Sequence, residues 1–458
     1  MPPPAARATV VPAGMRILLI HAQHEIQRLG TGVYGKYLRY APITMPTLAA
    51  LVPPDVAAEV RVIDEMVEAV DLEARADLVG LTAITSAAPR AYQLARHFRA
   101  RGATVVMGGV HATLMPEEAA QHVDAVVQGY GEETWPALLR DFRDGRLRRR
   151  YVHERSRPLA AVTAPARQHV LASRYLASST VEMSRGCNRR CAYCVTHRLN
   201  EGYVRRDPAA VLEEIRRLPG RLVTFLDPNV FGDHAHAREL FTGLKKLGKR
   251  WVGCVTADVA RHPDLLDLLV ESGARGFLVG FESLAQENLD GANKAFSRVD
   301  EYLAAIELFH RKGVMVQGSF MFGFDGDDAG VFDRTVDFIL RARIELPQFT
   351  VYTPFPGTQA FDELDAGGRI LTRDWARYDG HQVVFRPARM TPAELADGVR
   401  HAWRRAYALP AIARRLSSRP WRYKPVALLS NLNFRRFMRK VHARSTSDSR
   451  AAAPGLPA

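Results

Sequence analysis

Cysteine is scarce in these 458 residues: there are four, and three of them, at 187, 191 and 194, fall within eight positions. Four cysteines cannot staple a chain of this length, so a metal or redox site in a reducing cytosol is expected instead of a disulfide framework. Long apolar runs are missing too, and nothing approaches the roughly 18 consecutive apolar residues of a membrane helix. The start, "MPPPAARATVVPAGM", has no basic stretch ahead of a sustained apolar core. It reads as a disordered lead-in over 1–14 and not as a secretion signal. There is no short internal repeat. Charge imbalance is absent from most of the chain: residues 401–450 hold 13 Lys/Arg against one Asp, within a net charge of +14. That placement argues against a specific nucleic-acid-binding surface.

What is present is strand–helix alternation, in two series. "MRILLIHA" (15–22), "EVRVID" (59–64), "ADLVGLTAI" (76–84), "TVVMGG" (104–109) and "DAVVQGYGE" (124–132) read as buried strands separated by amphipathic helices. That rhythm predicts a doubly wound, Rossmann-like α/β domain over 15–140, with ligands beyond the C-terminal strand ends. Residues 141–175 lose the rhythm and read as a linker. A second series, "STVEMS", "LVTFLD", "WVGCVTA", "GFLVGFE", "MVQGSFMFGF" and "QFTVYT", predicts six βα units over 176–385. Six units suffice for an open or partial barrel, with its chemistry at the C-terminal strand ends. A helical basic region over 386–445 and a disordered tail over 446–458 complete the chain.

The cysteines directly follow the first strand of the second series, spaced C-x3-C-x2-C. A loop so spaced can wrap an iron–sulfur cube and ligate three irons, leaving the fourth open to a small chelating ligand. A zinc site completed by His197, or a cluster completed by Cys254, remain alternatives. Arg185, Arg189 and Arg190 flank the thiols and favour an anionic cluster. Cys254 itself, inside apolar "WVGCVTA", reads as a small buried hydrophobe unless it faces the barrel mouth.

"CNRRCAYC", with Tyr193 at its aromatic position, resembles the radical S-adenosylmethionine superfamily, whose hallmark is C-x3-C-x-aromatic-C after the first strand of a partial (β/α)6 barrel. The resemblance implies a 4Fe-4S cluster on Cys187, Cys191 and Cys194, with S-adenosylmethionine chelating the open iron and yielding a 5′-deoxyadenosyl radical. "GFLVGFESL" resembles the motif near the ribose, making Glu282 and Ser283 candidates. "VQGSFMFGFDGD" resembles the adenine region, with Gly318 and Gly323 allowing close backbone approach. "FLDPN" stands where relatives carry Gly-Gly-Glu at the methionine end; it departs from that motif, and Asp227 and Asn229 are the polar candidates there.

The first domain resembles the cobalamin-binding module that precedes many such barrels. "TAITS" and "GGVHATLMPEEAAQHVDAVVQGYGEETWP" carry the likeness and imply corrin contacts at Thr82, Thr85, Ser86, Gly108, Gly109, His111, Gly129, Tyr130, Gly131 and Glu132. D-x-H-x-x-G is absent, which implies cobalamin without a histidine ligand. A nucleotide-binding domain is the rival reading, and the absence of G-x-G-x-x-G after the first strand counts against it. Together the two modules imply a methyltransferase acting on an unactivated carbon of a small-molecule, lipid or tetrapyrrole substrate through methylcobalamin, fed by an electron donor such as flavodoxin or ferredoxin. The alternatives are cyclisation or rearrangement without methyl transfer, or a non-catalytic iron–sulfur electron carrier or sensor. The expected location is cytoplasmic. Residues 403–444, where Arg and Lys alternate with Trp, Tyr, Phe and Leu, suggest peripheral membrane contact as a second possibility beside a solvated helix.

Overall fold

A computed structural model describes residues 14–24, 40–153, 162–199, 203–417 and 424–451. The expected lead-in up to residue 13, part of the linker and the last seven residues lie outside them. Contacts divide the chain into two compact units, the first holding described residues 14–24, 42–153, 162–171 and 199, the second 40–41, 172–198, 203–417 and 424–451.

The first unit is one parallel sheet. Its strands are β1 (Met15–His21), β2 (Ala58–Asp64), β3 (Leu78–Thr82), β4 (Thr104–Gly108), β5 (Ala125–Gln128) and β6 (Arg150–Val152), ordered β2-β1-β3-β4-β5-β6. The central β3 is buried at every position, because both faces of the sheet are covered. Leu18, Ile20, Val79, Leu81, Val105 and Met107 pack on one side. Ile17, Leu19, Leu78, Val106, Trp135 and Leu138 pack on the other. Strand order reverses direction between β1 and β3, and the crevice beyond that switch is where such sheets receive ligands. β6 falls within the expected linker: the short "RYV" extends the sheet by one edge strand, and Tyr151 buries itself beneath it.

The second unit is also parallel but singly wound. Its order is β7 (Thr180–Val181), β10 (Leu222–Phe225), β11 (Arg250–Val255), β12 (Ala274–Glu282), β13 (Met315–Phe322) and β14 (Leu346–Val351), each strand beside its successor in the series. This is the (β/α)6 arrangement of a partial barrel. Its longer strands largely alternate. In β13 and β14 every second residue (Val316, Phe320, Phe322, Phe349, Val351) is buried against the helices, and the residues between are half-buried. The remaining pair, β8 (Ser184–Gly186) and β9 (Tyr203–Arg205), forms an antiparallel hairpin.

Helices Pro392–Ala406, Leu409–Leu416 and Lys424–Ala451 follow. Arg415, fully buried, fastens them: it donates to the carbonyls of Ile344, Glu345 and Ala406 and to Asn431 Oδ1. Trp403 turns inward as well, lying edge-on to Phe349 and stacked on Tyr407. On the same tail, read from sequence as a solvated helix or a membrane-contacting segment, Leu409, Val426, Leu428 and Leu432 are exposed. Among the described residues no helix is long and apolar enough to cross a membrane.

Candidate active site

The cysteine loop is held by polar contacts from distant parts of the second unit. Asp227, 1% exposed, accepts hydrogen bonds from Met183 N (3.1 Å), Ser184 N (2.6 Å) and Ser184 Oγ (2.5 Å). This bends the chain between β7 and β8, where the sequence suggested one continuous strand. Burial pushes the Asp227 carboxyl up to about 7. Farther along, Ala192 N donates to Ala292 O and Ala360 N to Ala192 O, pinning the loop between two other segments. Cys191 is buried, and Cys187 and Cys194 are partly so.

Burial raises the Cys187 and Cys191 thiols, and the Cys194 charge raises both further; Arg189 offsets this at Cys187 and Lys294 at both. Thiols so placed need a strong cation to ionise, as a metal supplies. Among the described residues no three His, Cys, Asp or Glu side chains converge on one ion's position. A cube does not require that, since each cysteine meets a different iron. The three thiols and two nearby cations therefore fit an anionic cluster. Of the three arginines expected around it, Arg189 bridges to Asp258 (2.8 Å) and lies over Phe296, Arg185 pairs with Glu182, and Arg190 is exposed.

Glu282 closes β12 in the left-handed region (φ 66°), at a break in the β12–β13 register. Its carboxylate folds back over Gly280, where any side chain would collide with Glu282 Oε1. There it accepts from Lys294 Nζ (3.2 Å), which also donates to the Tyr193 hydroxyl (3.3 Å). Burial opposes the Lys294 charge, yet Glu282 and the thiols outweigh it and hold the ammonium above its ordinary range. Neither Lys294 nor Gly280 was expected. A lone lysine twelve positions after Glu282 forms no pattern, although a glycine alternating with large apolar residues was a usable signal.

Other expected contacts have neighbours within the protein. Ser283 Oγ accepts from Ala285 N and Asn288 Nδ2, and Asn288 also donates to Asp327 (2.8 Å). A side chain at Gly318 would meet Ile344 and Phe320, and one at Gly323 would meet Leu395 and Phe385. The room these two glycines leave is taken by the protein's own side chains. Asn229 is 2% exposed, its Nδ2 without a partner among the described residues, a donor awaiting an acceptor. Cys254 stands in register with Leu278 on the sheet face that carries Glu282, and burial pushes its thiol up to about 12. His197 lies in the short helix Thr196–Leu199, its basicity lowered by burial.

In the first unit the expected residues gather at C-terminal strand ends: Thr82 ends β3, Gly108 ends β4 and Gly129 follows β5. Gly109 (φ 87°) and Gly129 (φ 76°) need the left-handed region, and a side chain at Gly109 would strike Thr82 Oγ1. Thr85 Oγ1 and Gln23 Nε2 are buried beside the β1/β3 switch without partners among the described residues. Ser86 is buried beside them; Tyr130, Gly131 and Glu132 form the half-buried entry to the helix Gly131–Arg143. His111 behaves differently. It is fully buried, its Nε2 within reach of Tyr92 Oη (3.0 Å) and Glu118 Oε1 (3.4 Å). Orphaned polar atoms and glycine-lined strand ends at a topological switch fit a bulky polar cofactor such as cobalamin.

Fold and site thus define a radical enzyme with a ligand-binding module ahead of its barrel. Residues 181–339 match the Radical SAM superfamily and residues 15–139 the B12 binding domain. The chain is 31% identical to bacteriochlorophyllide d C-12(1)-methyltransferase of Chlorobaculum tepidum, over 80% of this chain and 81% of that one. It is 30% identical to the same organism's bacteriochlorophyllide d C-8(2)-methyltransferase, over 76% and 82%. In fold it is similar to the radical S-adenosylmethionine methyltransferase TsrM of Kitasatospora setae, solved with cobalamin and a 4Fe-4S cluster bound. The TM-score is 0.62, with 19% identity over 84% of this chain and 85% of that one. The chain belongs to the cobalamin-dependent radical S-adenosylmethionine methyltransferases, and its cofactors are a 4Fe-4S cluster, S-adenosylmethionine and cobalamin.

Proposed function

We propose that this enzyme methylates an unactivated carbon on a side chain of a chlorophyllide-type tetrapyrrole. The observation that carries the reaction is the loop of three cysteines facing the Glu282–Lys294 pair. The substrate class rests on the two bacteriochlorophyllide methyltransferases that the chain resembles over most of its length. Cys187, Cys191 and Cys194 hold the cluster. Lys294 balances its negative charge and offers a buried cation to a carboxylate. Glu282 is placed to accept from ribose hydroxyls, and Asn229 to donate near the methionine end. Thr82, Thr85, Ser86, Gly108, Gly109, Gly129, Tyr130, Gly131 and Glu132 form the rim that receives the corrin. When bound, these cofactors supply an adenosyl radical that removes hydrogen and a methyl group that replaces it. Asp227 acts through the backbone, holding Met183 and Ser184 so that the loop keeps its shape.

The test is anaerobic turnover of the reconstituted protein with bacteriochlorophyllide d, dithionite and methyl-labelled S-adenosylmethionine. Labelled product should appear with S-adenosylhomocysteine and 5′-deoxyadenosine in about equal amounts, one molecule of cosubstrate serving each role. Deoxyadenosine without S-adenosylhomocysteine would contradict methyl transfer. Turnover only with substrates unrelated to tetrapyrroles would contradict the substrate class.

A further inference from the structure

Arg189 stands between Cys187 and Cys191, in the loop that wraps any cluster held by those two cysteines. Its side chain is fixed from two directions. Asp258, 7% exposed and just beyond β11, accepts from Arg189 Nη2 (2.8 Å), and the guanidinium lies 4.1 Å from the centroid of the Phe296 ring. Asp258 is set in turn by the Thr256 hydroxyl, which donates to its other oxygen. Lys294 Nζ lies 5.8 Å from the centroid of the same ring, so two cations flank Phe296. Clamped in this way, the guanidinium keeps one donor in reserve: Arg189 Nε is buried and has no hydrogen-bond partner among the described residues. A charged donor left bare in the interior is costly, and folded proteins nearly always supply it with an acceptor. The other two arginines of the segment differ, because Arg185 gives its Nε to Glu182 and Arg190 is exposed. The backbone amide of Arg189 and its charge also favour the ionised thiol of Cys187, which sets the residue beside that ligand.

We infer that Arg189 Nε–H is a hydrogen-bond donor to the sulfur atoms of the bound cluster and raises its reduction potential, with Asp258 as the positioning residue that aims it. The inference rests on the cluster reading above and goes beyond charge balance to one particular donor. An acceptor has to arrive with the ligand of this site, since none is present among the described residues. The sulfur atoms of a cluster on Cys187 and Cys191 are the acceptors that come to this loop. Reduction adds one negative charge to the cluster. A directed N–H on a fixed cation stabilises the reduced form more than the oxidised form, so the potential rises. Asp258 carries the opposite charge, and its two effects have opposite signs. As a bare charge it lowers the potential; by holding the guanidinium in place it raises it, and the second effect is the larger.

The test is an anaerobic potentiometric titration of the reconstituted full-length protein, followed by the electron paramagnetic resonance signal of the reduced cluster, with iron counted in every sample. In Arg189→Gln the ratio of reduced to oxidised cluster at a given potential should fall about tenfold, a shift of about 59 mV for a one-electron couple. Arg189→Lys keeps the charge without the planar fork and should recover less than about half of that shift. Asp258→Asn should also move the potential downward, by about threefold in the same ratio. An unchanged potential in Arg189→Gln with its iron intact would overturn the inference, as would full recovery by lysine. An unchanged or upward shift in Asp258→Asn would overturn it too. If Arg189→Gln takes up no iron, the sign of the Asp258→Asn shift still decides, because that residue lies outside the cysteine loop. A wild-type protein that takes up no iron would contradict the cluster reading itself, and the donor with it.

Discussion

Two parallel six-stranded sheets in one chain meet opposite demands. β3 of the first is buried at all five positions, whereas β13 and β14 of the second bury only every other residue. The first sheet is sealed by cores on both faces, so a ligand can reach it only at the rim of strand ends. The second has one core, and its other face presents Thr224, Cys254, Gln317, Ser319, Gln348 and Thr350, small or polar and half-buried. A sealed sheet makes a platform for a cofactor that rests on its edge. A sheet with one open face makes a chamber in which substrate and radical source are enclosed together.

The largest effect on this contrast should come from Cys187→Ala. S-adenosylmethionine cleavage should disappear while the first unit stays folded and keeps cobalamin, as product analysis and the corrin absorbance would show. Cleavage that survived loss of the cluster would refute the assignment. Next come two neighbours on opposite faces of β14. Phe349→Ala opens a cavity in the packed side among Phe320, Phe322 and Trp403 and should cost about 3–5 kcal/mol in denaturant unfolding. Gln348→Ala on the open side should cost within about 0.5 kcal/mol and instead alter turnover. Equal losses at the two positions would mean that both faces are packed.

Gly109→Ala probes the sealed sheet's rim. The added methyl meets Thr82 Oγ1 at a left-handed backbone position, with an expected cost of about 1–3 kcal/mol and weaker cobalamin retention at unchanged iron content. The smallest effect concerns pH. Asp227 keeps its proton in the folded state up to about 7, against 3.8 in an ordinary carboxyl. Over that interval the folded state binds the extra proton, so this group's contribution to stability falls as pH rises from about 4 to about 7 and is flat beyond. Asp227→Asn should remove that slope, read as the difference between the two unfolding curves across pH. Identical slopes would mean that Asp227 ionises normally.

Much of this was legible in the sequence, for physical reasons particular to each part. The apolar run of β3 and the alternation in "MVQGSFMFGF" record burial on two faces or one, so the sheets could be read directly. The cysteine spacing is local chemistry and carried the cluster. Features made by distant partners were not legible. The break between β7 and β8 depends on Asp227, more than forty positions away, and the burial of His111 depends on Tyr92 and Glu118. The edge strand β6 is three residues of an arginine-rich stretch and has no periodicity to display. The tail illustrates the same limit: its sequence gives no sign that Arg415, Trp403 and Tyr407 find their partners on β14 and in the connection leading into it.

The most direct test of two sheets serving two cofactors is the iron and cobalt content of the reconstituted protein and of a Cys187→Ala/Cys191→Ala/Cys194→Ala variant. The account predicts about four irons and one cobalt per chain in the first, and cobalt alone in the second. Iron retained without the three cysteines, or a wild-type protein that takes up iron but no cobalt, would contradict it.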